Sequence, residues 1–309
     1  MDVSVIFATC NRDTILKNTL DSLINLNTDQ LEWELIVIDN AVKDQTKSLV
    51  ESYIPELPVK YITESTPGKN NALNKALPLA KGALLVFTDD DIIAQPDWLN
   101  ELYIGAKRNP KFDIFGGSIR PHYPNVKLDK RINLSHHSIS SALVITDPTL
   151  TEGPIRPGRI WGPNMAIRRK VIDEGFIFNS QIGPNGKDYI MGSETEFLLR
   201  VNKAGHESVF LPNAVVLHQI REDQLNLEWM AGRAFRQGKG NIALFNTVKS
   251  RQLWGAPRYL YKKAIIHKLL MYIARLKNDD KQFFSHFIRY YFLKGQIHQC
   301  RRSPSSSST

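Results

Sequence analysis

Short apolar runs that end in polar or acidic residues alternate with amphipathic stretches along most of the chain. The strands predicted from this pattern are Val3–Ala8, Leu35–Ile38, Val59–Thr63, Ala83–Phe87, Ile114–Ile119, Ile160–Ile167 and Val215–His218, and Ala83–Phe87 is apolar at all five positions. Continuous apolar runs of this length are typical of strands buried on both faces of a parallel sheet. Between them, apolar residues recur at helical spacing, as in Ile15, Leu16, Leu20, Leu23 and Ile24. The order predicts an α/β fold with a doubly wound, mostly parallel sheet and helices on both faces.

Three carboxylates, Asp89, Asp90 and Asp91, follow the apolar run that ends at Phe87. If the chain stays extended there, Asp89 and Asp91 lie on one side and Asp90 on the other. Neighbouring carboxylates repel each other, and either a raised pKa or a bound cation relieves that repulsion. Oxygen ligands favour Mg²⁺ or Mn²⁺, which commonly bind substrate phosphates as well. The stretch predicts a metal and diphosphate site; the alternative is a solvated acidic turn that caps the helix begun by Pro96.

Other polar residues follow the neighbouring strands. Asp39 closes the second strand, and the loop of Thr9, Cys10, Asn11 and Arg12 closes the first. Ligands of doubly wound sheets bind at the carboxyl edge, so Asp39, Asp89 and Asp91 are expected to converge on one crevice. Lys69 begins a helical pattern just after Pro67-Gly68, where free N–H groups and the ammonium suit a phosphate. A solvated lysine at a helix start is the alternative.

Two further residues are candidates for chemistry. Glu194 lies in the first turn of a helix predicted from Gly192 to Arg200, where the helix dipole favours a carboxylate. A helix-capping acid is the alternative. Glu196 lies two positions on and faces another direction, so the two acids are not expected to act as a pair. His218 ends an apolar strand, either as a structural hydrogen-bonding residue or within reach of the metal.

The charge of the chain is uneven. The net charge is +9 over 309 residues, but residues 229–309 hold 16 Lys and Arg against two Asp, a surplus of +14 that leaves −5 to the first 228 residues. Within this segment Tyr261, Ile265, Leu269, Tyr272 and Leu276 recur at helical spacing. Such a basic amphipathic helix fits an anionic membrane surface, and we expect no nucleic acid partner. The alternative is that the apolar stripe packs on the domain that precedes it.

Compartment signals are few. Cys10 and Cys300 lie at opposite ends of the chain and form no metal or redox spacing. No apolar run approaches the roughly 18 residues of a spanning helix, and no basic leader precedes the first strand. We therefore expect a cytoplasmic protein, peripheral on the inner face of the cell membrane.

Several motifs in order resemble the inverting glycosyltransferases of family 2, which have the GT-A fold. The resemblance runs from about Val3 to Gly240. It rests on Thr9-Cys10-Asn11-Arg12, Asp39, Gly68-Lys69 with Ala72-Leu73-Asn74, Phe87-Thr88-Asp89-Asp90-Asp91 with Pro96 and Trp98-Leu99, Gly162-Pro163-Asn164-Met165-Ala166, Gly192-Ser193-Glu194-Thr195-Glu196-Phe197 with Arg200, and Arg236-Gln237-Gly238. Each piece is a weak signal, but their order and spacing together are specific.

The resemblance implies roles for individual residues. It implies Thr9, Asn11, Arg12, Asp39, Lys69, Asn74, Asp89 and Asp90 at the nucleotide sugar, Gly162 and Asn164 on the acceptor side, and Asp91 and Asp89 at Mn²⁺ or Mg²⁺. His218 is a further candidate metal ligand because of its place at a strand end. Glu194 falls where the family carries its catalytic base, usually the Asp of a Glu-Asp pair. Ser193-Glu194 stands in that place here, which moves the carboxylate outward by about one carbon–carbon bond.

The expected enzyme is an inverting, metal-dependent glycosyltransferase that moves one sugar from a nucleoside diphosphate sugar, favouring UDP, to a saccharide or lipid-linked acceptor hydroxyl. We expect it to act in cell-surface polysaccharide or glycolipid assembly. A polymerase is disfavoured because the Gln-x-x-Arg-Trp motif is missing near Arg236. Alternatives are a sugar-1-phosphate nucleotidyltransferase, which should have a glycine-rich first loop, and a noncatalytic saccharide-binding protein.

The predicted organisation has three parts. Residues 1–240 form the GT-A catalytic domain, with a nucleotide-sugar half at about 1–119 and an acceptor half at about 120–240. Residues 241–302 form a basic amphipathic helical extension. Residues 303–309 form a disordered tail.

Overall fold

The structure is a computed structural model that describes residues 1–126, 128–186, 189–245 and 251–302. The tail predicted at 303–309 lies outside the described residues, as does Lys187 at the end of the loop predicted from Asn179. The described chain forms two compact units. The first, the sheet unit, comprises 1–122, 144–186 and 193–219, and the second, the helical unit, comprises the remainder.

The strands and helices alternate through the sheet unit. The strands are β1 (Val3–Thr9), β2 (Trp33–Asp39), β3 (Val59–Thr63), β4 (Leu84–Phe87), β5 (Ile92–Ala94), β6 (Ile114–His122), β7 (Gly153–Pro154), β8 (Met165–Arg168) and β9 (Ser208–Gln219), with β10 (Gln252–Leu253) and β11 (Ala256–Pro257) in the helical unit. The helices are α1 (Asp13–Ile24), α2 (Asp44–Glu51), α3 (Lys69–Ala76), α4 (Trp98–Arg108), α5 (His137–Leu143), α6 (Arg169–Asp173), α7 (Ser193–Lys203), α8 (Leu227–Phe245), α9 (Arg258–Leu276) and α10 (Asp280–Arg302).

The main sheet has the strand order β3-β2-β1-β4-β8-β6-β9-β5, and β7 pairs with β9. Its first four strands are parallel, whereas β8 runs antiparallel to both β4 and β6. This mixed, mostly parallel arrangement with helices confirms the predicted GT-A type of fold.

Alternate residues of the central strands enter two different cores. Val5 and Phe7 of β1 pack with Leu16 and Leu20 of α1, whereas Ile6 packs with Leu73 of α3. The continuous apolar runs are explained by this arrangement, because a strand covered on both faces has no polar side. Trp98 of α4 belongs to the first core and Phe197 of α7 to the second, and both are fully buried.

Three local predictions are wrong. The strand predicted over Ile160–Ile167 begins only at Met165, because Gly162–Asn164 form a 3₁₀ turn. Ile24 of α1 is exposed, whereas the core-facing residues of that helix include Leu16, Leu20 and Leu23. The acidic triplet does not stay extended, since the chain turns at Asp90 and Asp91 before β5.

The helical unit is built on α8, α9 and α10. Leu260 and Ala264 of α9 form a small core with Leu293 of α10. Gly238 of α8 and Gly295 of α10 permit close approach of these two helices, because a Cβ at Gly238 would lie 2.0 Å from the carbonyl oxygen of Phe292. α8 continues through residue 240, where the extension was predicted to begin. No described helix has the length and hydropathy that crossing a membrane requires.

Candidate active site

The carboxyl ends of β2, β1 and β4 lie side by side and bring three polar segments together. Thr9 pairs in register with Asp39, and Ile6 with Phe87. Because parallel strands share one carboxyl edge, the loop after β1, Asp39 and the acidic triplet meet there. The convergence follows directly from the strand order.

Arg12 joins two members of the triplet. Its Nη1 atom donates to Asp90 Oδ1 at 2.9 Å and to Asp91 Oδ2 at 3.2 Å. Thr9 Oγ1 donates to the other oxygen of Asp90 at 2.7 Å. Burial raises the pKa of Asp90 to about 6, although Arg12 opposes the shift. Asp90 and Asp91 therefore share one cation, contrary to the alternation expected from an extended chain, because of the turn between them.

Lys69 joins the third member of the triplet to the predicted base. Its Nζ atom donates to Asp89 Oδ1 at 2.6 Å and to Glu194 Oε1 at 3.0 Å. Burial alone would lower the pKa of Lys69, but the two carboxylates raise it well above its ordinary value. The residue at the start of α3 is therefore a cation held between two acids.

A glycine and a serine hydroxyl lie next to Glu194 and constrain its position. A Cβ at Gly162 would lie 2.5 Å from Glu194 Oε1, so the 3₁₀ turn passes directly beside the carboxylate. The neighbouring Ser193 donates to Asn70 Oδ1 at 2.6 Å, and both side chains are buried. Since Asn70 follows Lys69 and Ser193 precedes Glu194, this hydrogen bond ties the starts of α3 and α7 together.

Asp91 and His218 offer two donor atoms for a metal. His218 Nε2 lies 3.5 Å from Asp91 Oδ1, and both side chains are buried. Within the described residues there is no group of three or more His, Cys, Asp or Glu with metal-binding geometry. A cation held by these two atoms would need its remaining ligands from substrate phosphates and water. A carboxylate oxygen with an imidazole nitrogen suits Mn²⁺ better than Mg²⁺.

Asp39 is buried and organises its own loop. Its carboxylate accepts hydrogen bonds from the N–H groups of Ala41 and Lys43 and from the hydroxyl of Tyr61, all at 2.8 Å. Burial, together with the Asp39 contact, raises the pKa of Tyr61. The structure therefore places Asp39 at the predicted edge, with its oxygens already engaged by protein donors.

Two of the predicted binding residues, Asn74 and Asn164, form hydrogen bonds within the protein, and a third, Asn11, is exposed. Asn74 exchanges two hydrogen bonds with the backbone of Phe178, each at 2.8 Å. Asn164 is fully buried, accepts from Trp98 Nε1 at 2.9 Å, and donates to the carbonyls of Ser118 and Ala214. Asn11 is exposed on the β1 loop with φ 56°. The amides of Asn74 and Asn164 thus hold the scaffold together.

Sequence reasoning missed three side chains that order this site. Asn40 donates to the carbonyls of Glu64 and Thr66 and accepts from Gly68 N–H at 2.8 Å, which fixes the loop before Lys69. Tyr61 and Asn70 have the contacts given above. Nothing in their local sequence marks them, although an asparagine directly after a strand-end aspartate is a common loop-ordering residue.

Residues 4–176 match the model of glycosyl transferase family 2. The chain therefore belongs to this family of inverting glycosyltransferases, which confirms the predicted enzyme class. Membership of this family argues against the alternatives of a nucleotidyltransferase and a noncatalytic saccharide-binding protein.

Curated relatives cover most of the chain. The chain is 29% identical to the succinoglycan biosynthesis protein ExoM of Rhizobium meliloti over 246 residues. This alignment covers 77% of the chain and 74% of ExoM. The chain is 26% identical over 292 residues to a Campylobacter jejuni GalNAc(5)-diNAcBac-PP-undecaprenol beta-1,3-glucosyltransferase. This alignment covers 90% of the chain and 84% of that relative.

Solved structures share the fold. The mannosyltransferase PcManGT of Pyrobaculum calidifontis, in complex with GDP-Man and Mn²⁺, aligns with TM-score 0.65 at 18% identity over 96% of this chain and 86% of its own. S. aureus TarS 1-349 in complex with UDP-GlcNAc aligns with TM-score 0.54 at 16% identity over 97% and 92%.

Proposed function

We propose that this enzyme transfers a single sugar from a nucleoside diphosphate sugar to an acceptor hydroxyl with inversion, using Glu194 as the general base. The observation that carries the proposal is the arrangement around Lys69, which holds Glu194 and Asp89 at one carboxyl edge of the sheet. A base and a diphosphate site must be neighbours, because the acceptor attacks the carbon from which the diphosphate departs.

Glu194 is suited to receive the acceptor proton. It lies in the first turn of α7, where the helix dipole favours the ionised carboxylate, and the Lys69 ammonium favours it further. Because Gly162 has no side chain, the 3₁₀ turn can pass directly beside Oε1, where an added Cβ would lie 2.5 Å from that oxygen. As the acceptor oxygen attacks the anomeric carbon, its proton passes to Glu194, and the bond to the diphosphate breaks on the opposite side.

The cations of the chain stabilise the departing diphosphate. Arg12 and Lys69 supply positive charge at the β1 and α3 ends of the site. Asp91, His218 and the predicted ligand Asp89 would hold a divalent metal, which would supply further positive charge for the departing diphosphate. Without donor, Lys69 and Arg12 offset the triplet's charge themselves.

The acceptor proposal rests on relatives. The Campylobacter jejuni relative is named for transfer to an undecaprenol-linked glycan, and ExoM for succinoglycan biosynthesis. We infer a lipid-linked saccharide acceptor in cell-surface polysaccharide or glycolipid assembly. A uridine donor is favoured, and the Asp39 loop is proposed to meet the base.

Donor hydrolysis tests the proposal without knowledge of the acceptor. The purified chain with Mn²⁺ is offered a panel of UDP-, GDP- and dTDP-sugars, and released sugar is measured. One donor, a uridine donor by our proposal, should be hydrolysed well above the rest. Release at the buffer rate from every donor, together with no donor binding by calorimetry, would contradict it.

A further inference from the structure

Helix α9 of the helical unit has two apolar faces. One face is packed: Leu260 and Ala264 are buried and meet Leu293 of α10, and Ala274 is buried further along. His267 Nδ1 lies 3.1 Å from His286 Nδ1 on the same side. These contacts account for the inner face, so the apolar residues elsewhere on α9 need another explanation.

The second apolar face lies opposite the first. Ile265, Leu269, Tyr272 and Leu276, spaced by four, three and four positions, are 61%, 58%, 53% and 84% exposed. At about 100° per residue they lie roughly 120–180° around the helix from Leu260. Ile266 and Ile273 are also exposed and widen this second face, which we call the outer face of α9. A stripe of large apolar side chains left in water marks an interaction surface.

The outer face is surrounded by positive charge. Five residues of α9 are basic and none is acidic: Arg258, Lys262, Lys263, Lys268 and Arg275. All five are exposed. Lys268 and Arg275 lie on one flank of the outer face, and Lys263 lies on the other. Long basic side chains at the edges of an apolar stripe can reach anionic groups while their stems stay on the apolar surface.

A tryptophan extends the surface beyond the helix. Trp254 forms the tip of the β10–β11 hairpin and is 74% exposed. The turn needs left-handed backbone at Trp254, φ 47°, and at Gly255, φ 78°. The Trp254 ring meets Tyr261 edge-on, with centroids 5.8 Å apart, and the Tyr261 hydroxyl donates to the Trp254 carbonyl at 3.3 Å. The exposed ring is therefore fixed beside the first turns of α9.

We propose that the outer face of α9 and Trp254 dock on the surface of an anionic lipid bilayer. An exposed apolar stripe with basic flanks complements acyl chains and anionic headgroups at once, and Trp and Tyr are the side chains enriched at membrane–water interfaces. A purely apolar protein partner would leave the five cations unmatched. The proposal concerns binding and stands without the proposed reaction, although docking would place the enzyme on the surface that carries lipid-linked acceptors.

Vesicle co-sedimentation of the full chain tests the docking. Vesicles of phosphatidylcholine alone are compared with an equal mixture of phosphatidylcholine and phosphatidylglycerol at low and high salt. We expect at least about tenfold stronger binding to the mixed vesicles at low salt, falling as salt rises, because exposed charges are screened beyond roughly 10 Å at 0.1 M. Equal binding to both vesicles, or binding indifferent to salt, would overturn the proposal.

Paired variants locate the surface. Ile265→Glu/Leu269→Glu should lose about tenfold or more of the binding, because two charges enter the apolar contact. Ile54→Glu/Ile104→Glu changes two exposed isoleucines of the sheet unit and should bind like wild type. A second pair, Lys263→Glu/Lys268→Glu, should also lose binding, whereas Lys111→Glu/Lys203→Glu should lose less. If the α9 pairs bind like their controls, the surface is assigned wrongly.

Two measurements separate docking from its alternatives. Fluorescence with brominated lipid should show quenching that Trp254→Phe removes, which places that ring in the bilayer. Quenching that survives the substitution contradicts the placement. Sedimentation equilibrium without vesicles should give a monomer; a dimer that Ile265→Glu/Leu269→Glu dissociates would mean that a second copy covers the face, and the proposal would fail.

Discussion

The ammonium of Lys69 donates to Oε1 of Glu194 at 3.0 Å, across 125 positions of sequence. The same atom donates to Asp89 at 2.6 Å. One cation thus links the residue proposed as base to the acidic triplet proposed to serve the donor. We propose that the phosphates of a bound donor compete for Lys69 and thereby release Glu194 toward the acceptor.

Lys69→Ala should weaken both donor binding and turnover. The substitution leaves Asp89 and Glu194 facing each other without a cation, and removes a positive charge from the diphosphate site. We expect kcat/KM to fall by about 10²-fold or more and the donor Kd to rise, with partial recovery in Lys69→Arg. Lys75→Ala, on the same helix and paired with Glu64, is the control. Equal kinetics for the two alanine variants would count against this role.

Gly162→Ala should impair turnover while the fold remains stable. The added Cβ would lie 2.5 Å from Glu194 Oε1, so the carboxylate must move. We expect kcat to fall by at least about tenfold, since small misplacements of a reacting group are costly. Gly158→Ala is the matched control, because its Cβ would lie 3.7 Å from the nearest atom. A fully active Gly162→Ala enzyme would show that Glu194 is not constrained there.

Ser193→Ala tests the tie between α3 and α7. Loss of the buried hydrogen bond to Asn70 should lower the free energy of unfolding by about 1–3 kcal/mol. Turnover should fall with little change in donor Kd, because Glu194 loses its anchor. Ser52→Ala, whose exposed hydroxyl bonds a helical carbonyl, should stay within about 0.5 kcal/mol of wild type. Kinetics unchanged by Ser193→Ala would make the bond purely structural.

His206 should make the stability of the sheet unit depend on pH. Burial alone would lower its pKa, but hydrogen bonds to Asp113 at 2.8 Å and Glu174 at 2.9 Å raise it. A raised folded-state pKa gives stability that is fully present below the ordinary value of 6.5 and is lost as pH rises through the folded value. His206→Gln should therefore cost more at about pH 5.5 than at about pH 8.5.

Urea unfolding at the two pH values measures this difference. His122→Gln, at an exposed histidine, supplies the comparison. A cost of His206→Gln that is the same at both pH values would remove the proposed linkage.

Donor binding should depend on a divalent cation and on Asp91. Arg12 and Lys69 balance the acidic triplet in the free enzyme. A bound diphosphate adds further negative charge, which we expect a divalent cation at Asp91 to offset. Calorimetry with UDP should show tight binding with Mn²⁺, weak binding with excess chelator, and weak binding in Asp91→Asn at equal Mn²⁺. Equal affinity in all three cases would eliminate the proposed metal role.

The sheet was predictable because its strands are buried on both faces, which leaves continuous apolar runs such as Leu35–Ile38 in the sequence. The convergence of Asp39 with Asp89 followed from the rule that parallel strands share one carboxyl edge. The Lys69–Glu194 contact was not predictable from local pattern, since it joins the starts of two helices far apart in sequence. The Ser193–Asn70 contact is of the same kind.

Periodicity also has a limit that α9 shows plainly. The stripe from Ile265 to Leu276 has the spacing of a core-facing stripe, yet the residues that pack are Leu260, Ala264 and Ala274. When a helix has two apolar faces, the residues of both faces recur at the same helical spacing. The spacing therefore does not indicate which face is buried. Asn164 is a similar case, because the sequence does not distinguish an asparagine that hydrogen-bonds the backbone from one that binds a substrate.

The central claim is that Glu194 is the base, and the comparison of Glu194→Gln with Glu196→Gln tests it most directly. Both changes remove one carboxylate from the first turns of α7, and Glu196 is engaged by Arg200 at 2.6 Å. Turnover of the preferred donor, measured beside donor Kd, should fall by roughly 10²-fold or more in Glu194→Gln at nearly unchanged Kd, and Glu196→Gln should stay active. An active Glu194→Gln enzyme beside an inactive Glu196→Gln enzyme would contradict the account.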